Sequence, residues 1–102
     1  MVRRRCRKDA NHDEIAATFR ALGVDWIDTW QHAQYTPGFP DGVAVRGQVV
    51  RFVEIKSAPG DAKRLTRDEI LFWQRFDPLY RIVATVEDAL AVAKEMGVVT
   101  EA

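Results

Sequence analysis

A chain of 102 residues is long enough for one domain with a hydrophobic core and too short for two. Its 47% hydrophobic and 29% charged residues are typical of a globular protein and argue against intrinsic disorder. The sequence has no apolar run near the roughly 20 residues of a membrane span, no apolar segment behind its basic start, and a single cysteine, Cys6. We therefore expect a cytoplasmic protein without an internal disulfide or a membrane partner.

The net charge is zero, but the charges are distributed unevenly along the chain. Five of the first eight residues are basic, which leaves ten basic against fifteen acidic residues in the remainder. We therefore divide the chain into a basic N-terminal arm, residues 1–8, and one acidic domain, residues 9–102. Such an arm either binds nucleic-acid phosphates or is a solvated terminus without a function, and the sequence favours neither. The basic residues of the arm are Arg3, Arg4, Arg5, Arg7 and Lys8.

The first predicted helix begins at His12 and ends before Gly23, with Asn11 as its N-cap and Glu14 in the capping-box position. An apolar stripe faces the core. Glu14 shares its side of the helix with small residues, which would let another element approach and would place Glu14 at the edge of the core. The stripe comprises Ile15, Phe19 and Leu22, and the small residues are Ala17, Thr18 and Ala21.

A first strand, Val24–Trp30, and a loop, Gln31–Pro40, come next in the chain. A hairpin follows, with strands Asp41–Arg46 and Val49–Lys56 that are rich in Val and Phe. Gly47 is the first of the two central turn residues, which favours a type II′ turn. The sequence therefore predicts three successive strands after the first helix.

The predicted turn also determines the register of the hairpin. Arg46 faces Val49, so Asp41 faces Glu54 with their Cβ atoms about 4.5–5.5 Å apart, close enough for two carboxylates to share one metal ion. Side chains alternate along a strand, so Lys56 points to the same side as Glu54. A slip of one residue would separate these groups.

The second predicted helix has strong N-terminal signals. Thr66 is the N-cap, Glu69 completes a capping box, and Leu65 with Ile70 forms a hydrophobic staple. Asp77-Pro78 ends the helix. Its predicted buried stripe comprises Ile70, Trp73 and Phe76.

The last predicted elements are a strand, Tyr80–Thr85, and a helix that Thr85 caps and Gly97 ends. The element order is α-β-β-β-α-β-α. This order predicts an α/β fold with a mixed four-stranded sheet flanked by helices. The buried stripe of the last helix comprises Leu90, Ala93 and Met96.

A Pro-Asp pair followed by Glu-x-Lys indicates phosphodiester hydrolysis. Asp41 and Glu54 supply hard oxygen ligands for Mg²⁺, with the backbone carbonyl of Ile55 completing the metal sphere. Such a cation lowers the pKa of a bound water and neutralises charge at phosphorus. Lys56 would position or deprotonate that water, or stabilise the transition state. Alternatively, Asp41 is a turn residue and Glu54–Lys56 is an exposed, salt-bridged strand face.

These residues resemble the VRR-NUC family, a branch of the PD-(D/E)XK nuclease superfamily with phage and bacterial members. The resemblance rests on the acidic first helix, Gly-Phe-Pro-Asp at 38–41, Glu-Ile-Lys at 54–56, the Pro-Gly-Asp loop and the Leu-Thr before the second helix. It implies a restriction-endonuclease-like core and a Mg²⁺- or Mn²⁺-dependent DNA endonuclease without an organic cofactor, in a bacterial cell or a phage-infected host. It also implies a homodimer that acts on branched DNA such as four-way junctions.

The resemblance assigns roles by position. Asp41 and Glu54 match the metal-binding acids of the family, and Lys56 matches its catalytic lysine. Glu14 matches an acid in the first helix that often completes the metal site, although a capping role explains Glu14 nearly as well.

Glu69 departs from the family pattern, which usually has Gln at this position. A capping box explains Glu69 fully, and as a catalytic residue its extra charge would need to be offset by the metal or by Lys63 and Arg64. Those two basic residues are also candidate DNA contacts. The departure keeps open a non-catalytic nucleic-acid-binding module that retains the nuclease fold. The acidic domain keeps open an interaction subunit with no nucleic-acid role.

Overall fold

The computed structural model of the chain describes residues 9–58 and 64–100. The basic arm and Lys63 therefore lie outside the described residues. No helix within the described ranges is long and apolar enough to cross a membrane. The elements are helix α1 (His12–Ala21), strands β1 (Asp25–Asp28), β2 (Gly42–Arg46) and β3 (Val49–Ile55), helix α2 (Arg67–Arg75), strand β4 (Tyr80–Val83) and helix α3 (Val86–Glu95), with short 3-10 helices at Trp30–Gln34 and Asp77–Leu79.

The four strands form one mixed sheet in the order β1-β2-β3-β4. The first two pairings are antiparallel, and β3 pairs with β4 in parallel. A parallel pair needs a crossover connection, and the segment that contains α2 provides it. The predicted α/β class, the element order and the mixed four-stranded sheet are confirmed.

The hairpin register is also confirmed, because Arg46 pairs with Val49. Gly47 has a φ of 62°, whereas no residue other than glycine in the described ranges has a positive φ, so Gln48 does not have one. A positive φ at the first central residue alone matches a type II′ turn rather than type I′. Strand β2 begins at Gly42 in the pairing with β3, one residue later than the predicted Asp41. Asp41 nevertheless continues the line of β2, since its N–H donates to the carbonyl of Val53 at 3.0 Å.

One face of the sheet, which we call the core face, packs against α1 and α3. Trp26 of β1 stacks on Phe19 of α1 with ring centroids 5.4 Å apart. The predicted stripe of α1 lies in this core, with Leu22 partly buried at its border. The core face therefore holds most of the buried apolar side chains. They include Ile15, Phe19, Val53, Ile55, Val83, Ala89, Ala93 and Met96.

Two predictions for α1 are wrong. Glu14, Ala17 and Ala21 are exposed, because α1 packs on the sheet through the side that carries its large apolar residues, and nothing covers the small ones within the described residues. Asn11 occupies the N-cap position without a capping side-chain hydrogen bond. Its Nδ2 instead donates to the carbonyls of Lys56 and Ala84, a contact that ties α1 to the ends of β3 and β4.

The capping boxes of the later helices are confirmed. Thr66 and Glu69 exchange side-chain and backbone hydrogen bonds at the start of α2. Thr85 and Asp88 do the same at the start of α3. These contacts satisfy backbone N–H groups that have no partner inside the helix.

Helix α2 covers the opposite face of the sheet, which we call the α2 face. The predicted stripe of α2 is wrong for Ile70 and Trp73, which are each 39% exposed, whereas Phe76 is half-buried and packs against Phe52. The helix turns Phe72 toward the sheet instead, with its ring 5.2 Å from Phe52 and 5.3 Å from Phe39. These contacts come from distant segments, so the sequence of the helix alone does not reveal its buried side.

The loop before Asp41 also packs on α2. Gly38 has a φ of 87°, and a Cβ atom at Gly38 would lie 2.2 Å from the carbonyl oxygen of Asp68. Only glycine therefore allows this approach. Phe39 joins the loop to the aromatic contacts of Phe52 and Phe72. As a result, the loop, β3 and α2 form one packed unit around Asp41.

Candidate metal centre

The two predicted metal-binding acids and the lysine meet at the end of β3. Oδ2 of Asp41 accepts a hydrogen bond of 2.7 Å from the backbone N–H of Ile55. The side chains of Asp41 and Glu54 lie close enough for each to shift the pKa of the other. Nζ of Lys56 lies 3.5 Å from Oε2 of Glu54. The hairpin register thus brings these three side chains together.

Glu69 of α2 joins this group. Its Oε1 accepts a hydrogen bond of 3.1 Å from Nζ of Lys56 and one of 2.9 Å from the backbone N–H of Thr66. One carboxylate oxygen therefore completes the capping box and binds the lysine. The two interpretations of Glu69 in the sequence, helix cap or site residue, are compatible in the structure.

Burial has a large effect on the two metal-binding acids. It raises the pKa of Glu54, which is 4% exposed, to about 10, and the charges of Asp41 and Glu69 act in the same direction. Burial also raises the pKa of Asp41 to about 6, although the N–H of Ile55 opposes the shift. At neutral pH and without a cation, Glu54 is therefore protonated and Asp41 is mostly ionised.

Lys56 and Glu69 show the opposite tendency, because each stabilises the charge of the other. Burial lowers the pKa of Lys56, but Glu54 and Glu69 outweigh it, and the net effect is a raised pKa. Burial raises the pKa of Glu69, but the N–H of Thr66, Glu54 and Lys56 outweigh it, and the net effect is a lowered pKa. Lys56 is thus held as a charged ammonium group.

The donor set can be tested against a divalent cation. In residues 9–58 and 64–100, no three His, Cys, Asp or Glu side chains form a group that could hold a metal ion. Two carboxylates do meet, and Oε1 of Glu54 is buried without a hydrogen bond from any described residue. A buried carboxylate without a donor is unfavourable unless a proton or a cation neutralises it. Asp41 and Glu54 therefore fit Mg²⁺ or Mn²⁺, with the carbonyl of Ile55 and water as further oxygen ligands.

Besides Glu69, a further acid lies near Asp41, and it is not the expected Glu14. Glu14 lies exposed on α1, and its metal-binding role stays a prediction. Beyond burial, the pKa of Asp41 responds to His12, which lowers it, and to Asp9, which raises it. Asp9 also accepts a hydrogen bond of 2.7 Å from Oγ of Ser57. Sequence reasoning missed Asp9, because it precedes the first predicted element.

His12 was also missed as a neighbour of the site. It is fully buried in the core, and its Nε2 lies 2.8 Å from Oδ1 of Asp28. The sequence contained no signal for this position, since neither histidine has metal-ligand spacing with another His or Cys. The pairing depends on the packing of α1 against β1.

The candidate DNA contacts are only partly described. The five basic residues of the arm and Lys63 lie outside the described residues, and Arg64 is exposed just before α2. Comparison with known proteins gave no match to a family model, to a curated protein or to a solved structure. The functional assignment therefore depends on the geometry of the site.

Proposed function

We propose that the chain is a metal-dependent DNA endonuclease with a restriction-endonuclease-like core, related to the VRR-NUC proteins that its sequence resembles. The supporting observation is that the hairpin register and the N–H of Ile55 hold Asp41 opposite Glu54, with Nζ of Lys56 3.5 Å from Glu54. The confirmed element order and the mixed sheet are consistent with this core. As part of the same proposal, the protein forms a homodimer that acts on branched DNA.

Each residue of the site has a chemical role in this proposal. Asp41 and Glu54 hold the cation, and the buried oxygen of Glu54 loses its competing proton when the cation binds. When bound, Mg²⁺ or Mn²⁺ activates water and neutralises charge on the phosphate. Lys56 stays protonated because Glu69 faces it at 3.1 Å. A charged ammonium favours stabilisation of the transition state over deprotonation of water.

The charge balance accounts for glutamate at position 69. With the cation bound, the three carboxylates of Asp41, Glu54 and Glu69 carry three negative charges. Lys56 and a divalent cation together carry three positive charges, so the site has no net charge to repel a phosphate. Glu69 thus acts as a positioning residue that orients Lys56, and its extra charge is offset inside the site.

The test is a cleavage panel of plasmid, linear, single-stranded, flap and four-way-junction DNA with Mg²⁺, Mn²⁺ or a chelator. Wild type should cut branched DNA with either metal, and Glu54→Gln and Lys56→Ala should each lose activity by at least about a hundredfold. Glu95→Gln is the matched control, because it neutralises a carboxylate paired with Arg51 and Arg81 on the core face. Full activity of Lys56→Ala would remove the lysine from the mechanism.

Calorimetry separates the proposal from a non-catalytic binding module. Mg²⁺ should bind wild type, and Asp41→Ala should abolish this binding. Unchanged binding in Asp41→Ala would refute the site. Salt-dependent binding of DNA without cleavage of any substrate would favour the binding module, and deletion of residues 1–8 would then test whether the basic arm supplies the phosphate contacts.

A further inference from the structure

Tyr80 carries a buried hydroxyl group that the proposed chemistry does not use. Its side chain is 4% exposed, and no described residue forms a hydrogen bond with the hydroxyl oxygen. A buried hydroxyl without a partner is unfavourable by about 1–3 kcal/mol, whereas phenylalanine would fill the same space without this penalty. The hydroxyl therefore needs a partner outside the described residues, such as water or a bound ligand.

The register of β4 places Tyr80 on the same face of the sheet as the acids. Tyr80 pairs with Phe52 on β3, and Glu54 follows two residues later on the same face. The ring of Tyr80 lies 6.0 Å from Phe72 and stacks on Trp73 at 6.1 Å, so α2 closes over it. Phe72 lies one turn after Glu69, which binds Lys56. The side chain of Tyr80 is thus buried between the sheet and helix α2.

The acids are near enough to affect the pKa of the hydroxyl. Burial raises the pKa of Tyr80, and the charges of Glu54, Glu69 and Asp41 raise it further. The phenol is therefore neutral at any physiological pH and can both donate and accept a hydrogen bond. Two buried oxygens without a partner, Oε1 of Glu54 and the hydroxyl of Tyr80, lie on the same face of neighbouring strands.

We propose that Tyr80 is an outer contact of the cation site, whose hydroxyl hydrogen-bonds to the hydrated Mg²⁺ that Asp41 and Glu54 hold. Mg²⁺ keeps several of its waters when it binds a protein, and each of these waters needs an acceptor. Ca²⁺ exchanges its waters more readily for protein oxygens in flexible geometries. The contact should therefore favour the smaller, hydrated cation over Ca²⁺. This inference depends on the cation site of the proposed function but not on DNA cleavage.

The experiment compares Tyr80→Phe with Tyr35→Phe, which removes the hydroxyl of the only other tyrosine in the chain, a residue 74% exposed. Calorimetry measures Mg²⁺ and Ca²⁺ affinity, and thermal unfolding measures stability without a cation. Tyr80→Phe should weaken Mg²⁺ binding about tenfold, as for other outer contacts of metal sites, and Ca²⁺ binding by about threefold or less. Its Tm without a cation should be unchanged or higher, and Tyr35→Phe should behave as wild type.

Three results would overturn the inference. Unchanged Mg²⁺ affinity in Tyr80→Phe would remove the contact. Equal losses for Mg²⁺ and Ca²⁺, together with a lower Tm, would assign the hydroxyl a structural role. Wild type that binds no Mg²⁺ would refute the cation site itself. Wild type that binds Mg²⁺ and cuts no DNA would contradict the proposed nuclease, while the comparison of affinities would still decide the role of Tyr80.

Discussion

The two faces of the sheet differ in what they bury, although the same strands form both. On β3, Val53 and Ile55 are fully buried on the core face. Their neighbours Phe52, Glu54 and Lys56 point to the α2 face, where two of the three carry ionisable groups. Helices α1 and α3 close the core face with apolar side chains. None of the nine residues of α2, all of which the structure describes, is buried.

The core face and the α2 face therefore contribute differently, the first to folding stability and the second to the ionisable groups of the candidate site. The core face buries apolar surface, which is the main favourable contribution to folding. The α2 face buries the carboxyl group of Glu54 and partly buries that of Asp41, which is unfavourable unless a proton or a cation neutralises them. We therefore expect changes on the core face to alter stability at every pH, and changes on the α2 face to alter pH dependence and cation binding.

The largest effect should come from the core face. Phe19→Ala removes a fully buried ring that stacks on Trp26, and it should lower the free energy of unfolding by about 3–5 kcal/mol. Phe72→Ala removes a half-buried ring from the α2 face and should lower it clearly less. Urea unfolding of both variants measures the difference. Equal losses would contradict the contrast between the two faces.

The second effect concerns pH. Above pH 4.5 an unfolded Glu54 loses its proton, whereas the folded carboxyl keeps it up to a pKa of about 10. The folded state then binds one more proton, so stability should fall as pH rises, by about 1.4 kcal/mol per pH unit and up to about 4 kcal/mol between pH 5 and 8. Asp41 adds to this loss of stability as pH rises to about 6, because its folded carboxyl also keeps its proton longer than the unfolded one.

Urea unfolding from pH 5 to 8 without a cation tests this prediction. Glu54→Gln should remove most of the slope, because its amide imitates the protonated acid, and Mg²⁺ should restore stability to wild type only. Glu95→Gln is the control, since Arg81 lowers the pKa of Glu95 and its charge does not change in this range. A slope that survives Glu54→Gln would assign the pH dependence to other groups.

A third, smaller effect compares two glycines. Gly38→Ala would combine a positive φ with a clash against the backbone of Asp68, and it should destabilise the fold by about 2–3 kcal/mol. Gly47→Ala also has a positive φ, but its Cβ would meet open space, so the loss should be about 1 kcal/mol. Only Gly38→Ala should also weaken Mg²⁺ binding, because the same loop carries Asp41. Equal effects on Mg²⁺ affinity would contradict the role of the loop.

The smallest effect on stability should come from Glu69→Gln, below about 1 kcal/mol, since glutamine also completes a capping box. The variant should lower the pKa of Lys56, because burial then acts without the opposing charge of Glu69. Titration of the lysine by NMR measures this shift. Asp88→Asn makes the same change in the capping box of α3 and should leave Lys56 unaffected.

Much of the fold followed from local signals in the sequence. The two-residue turn at Gly47 determined the hairpin register, so the meeting of Asp41 with Glu54 was predictable from residues only thirteen apart. Both later capping boxes were predictable for the same reason, since each connects residues three apart. Interactions of this kind do not depend on how the rest of the chain packs.

The wrong predictions concern long-range packing. The buried side of α2 depends on Phe39 and Phe52, which come from a loop and a strand far away in the chain. Asn11 was predicted to cap α1, but the carbonyls at the ends of β3 and β4 compete successfully for its amide. A helical pattern identifies an apolar side but cannot say which element will cover it.

The sequence by itself determined the hairpin, the capping boxes of α2 and α3, the element order and the pairing of Asp41 with Glu54, because each depends on neighbours in the chain or on one turn. Only the tertiary structure decided how deeply the two acids are buried, that Glu69 reaches Lys56, and that the buried Tyr80 shares a face of the sheet with Glu54. Burial and the charges around a group are properties of the whole packed chain. The shifted pKa values that support the candidate metal centre therefore come from the fold rather than from the motif.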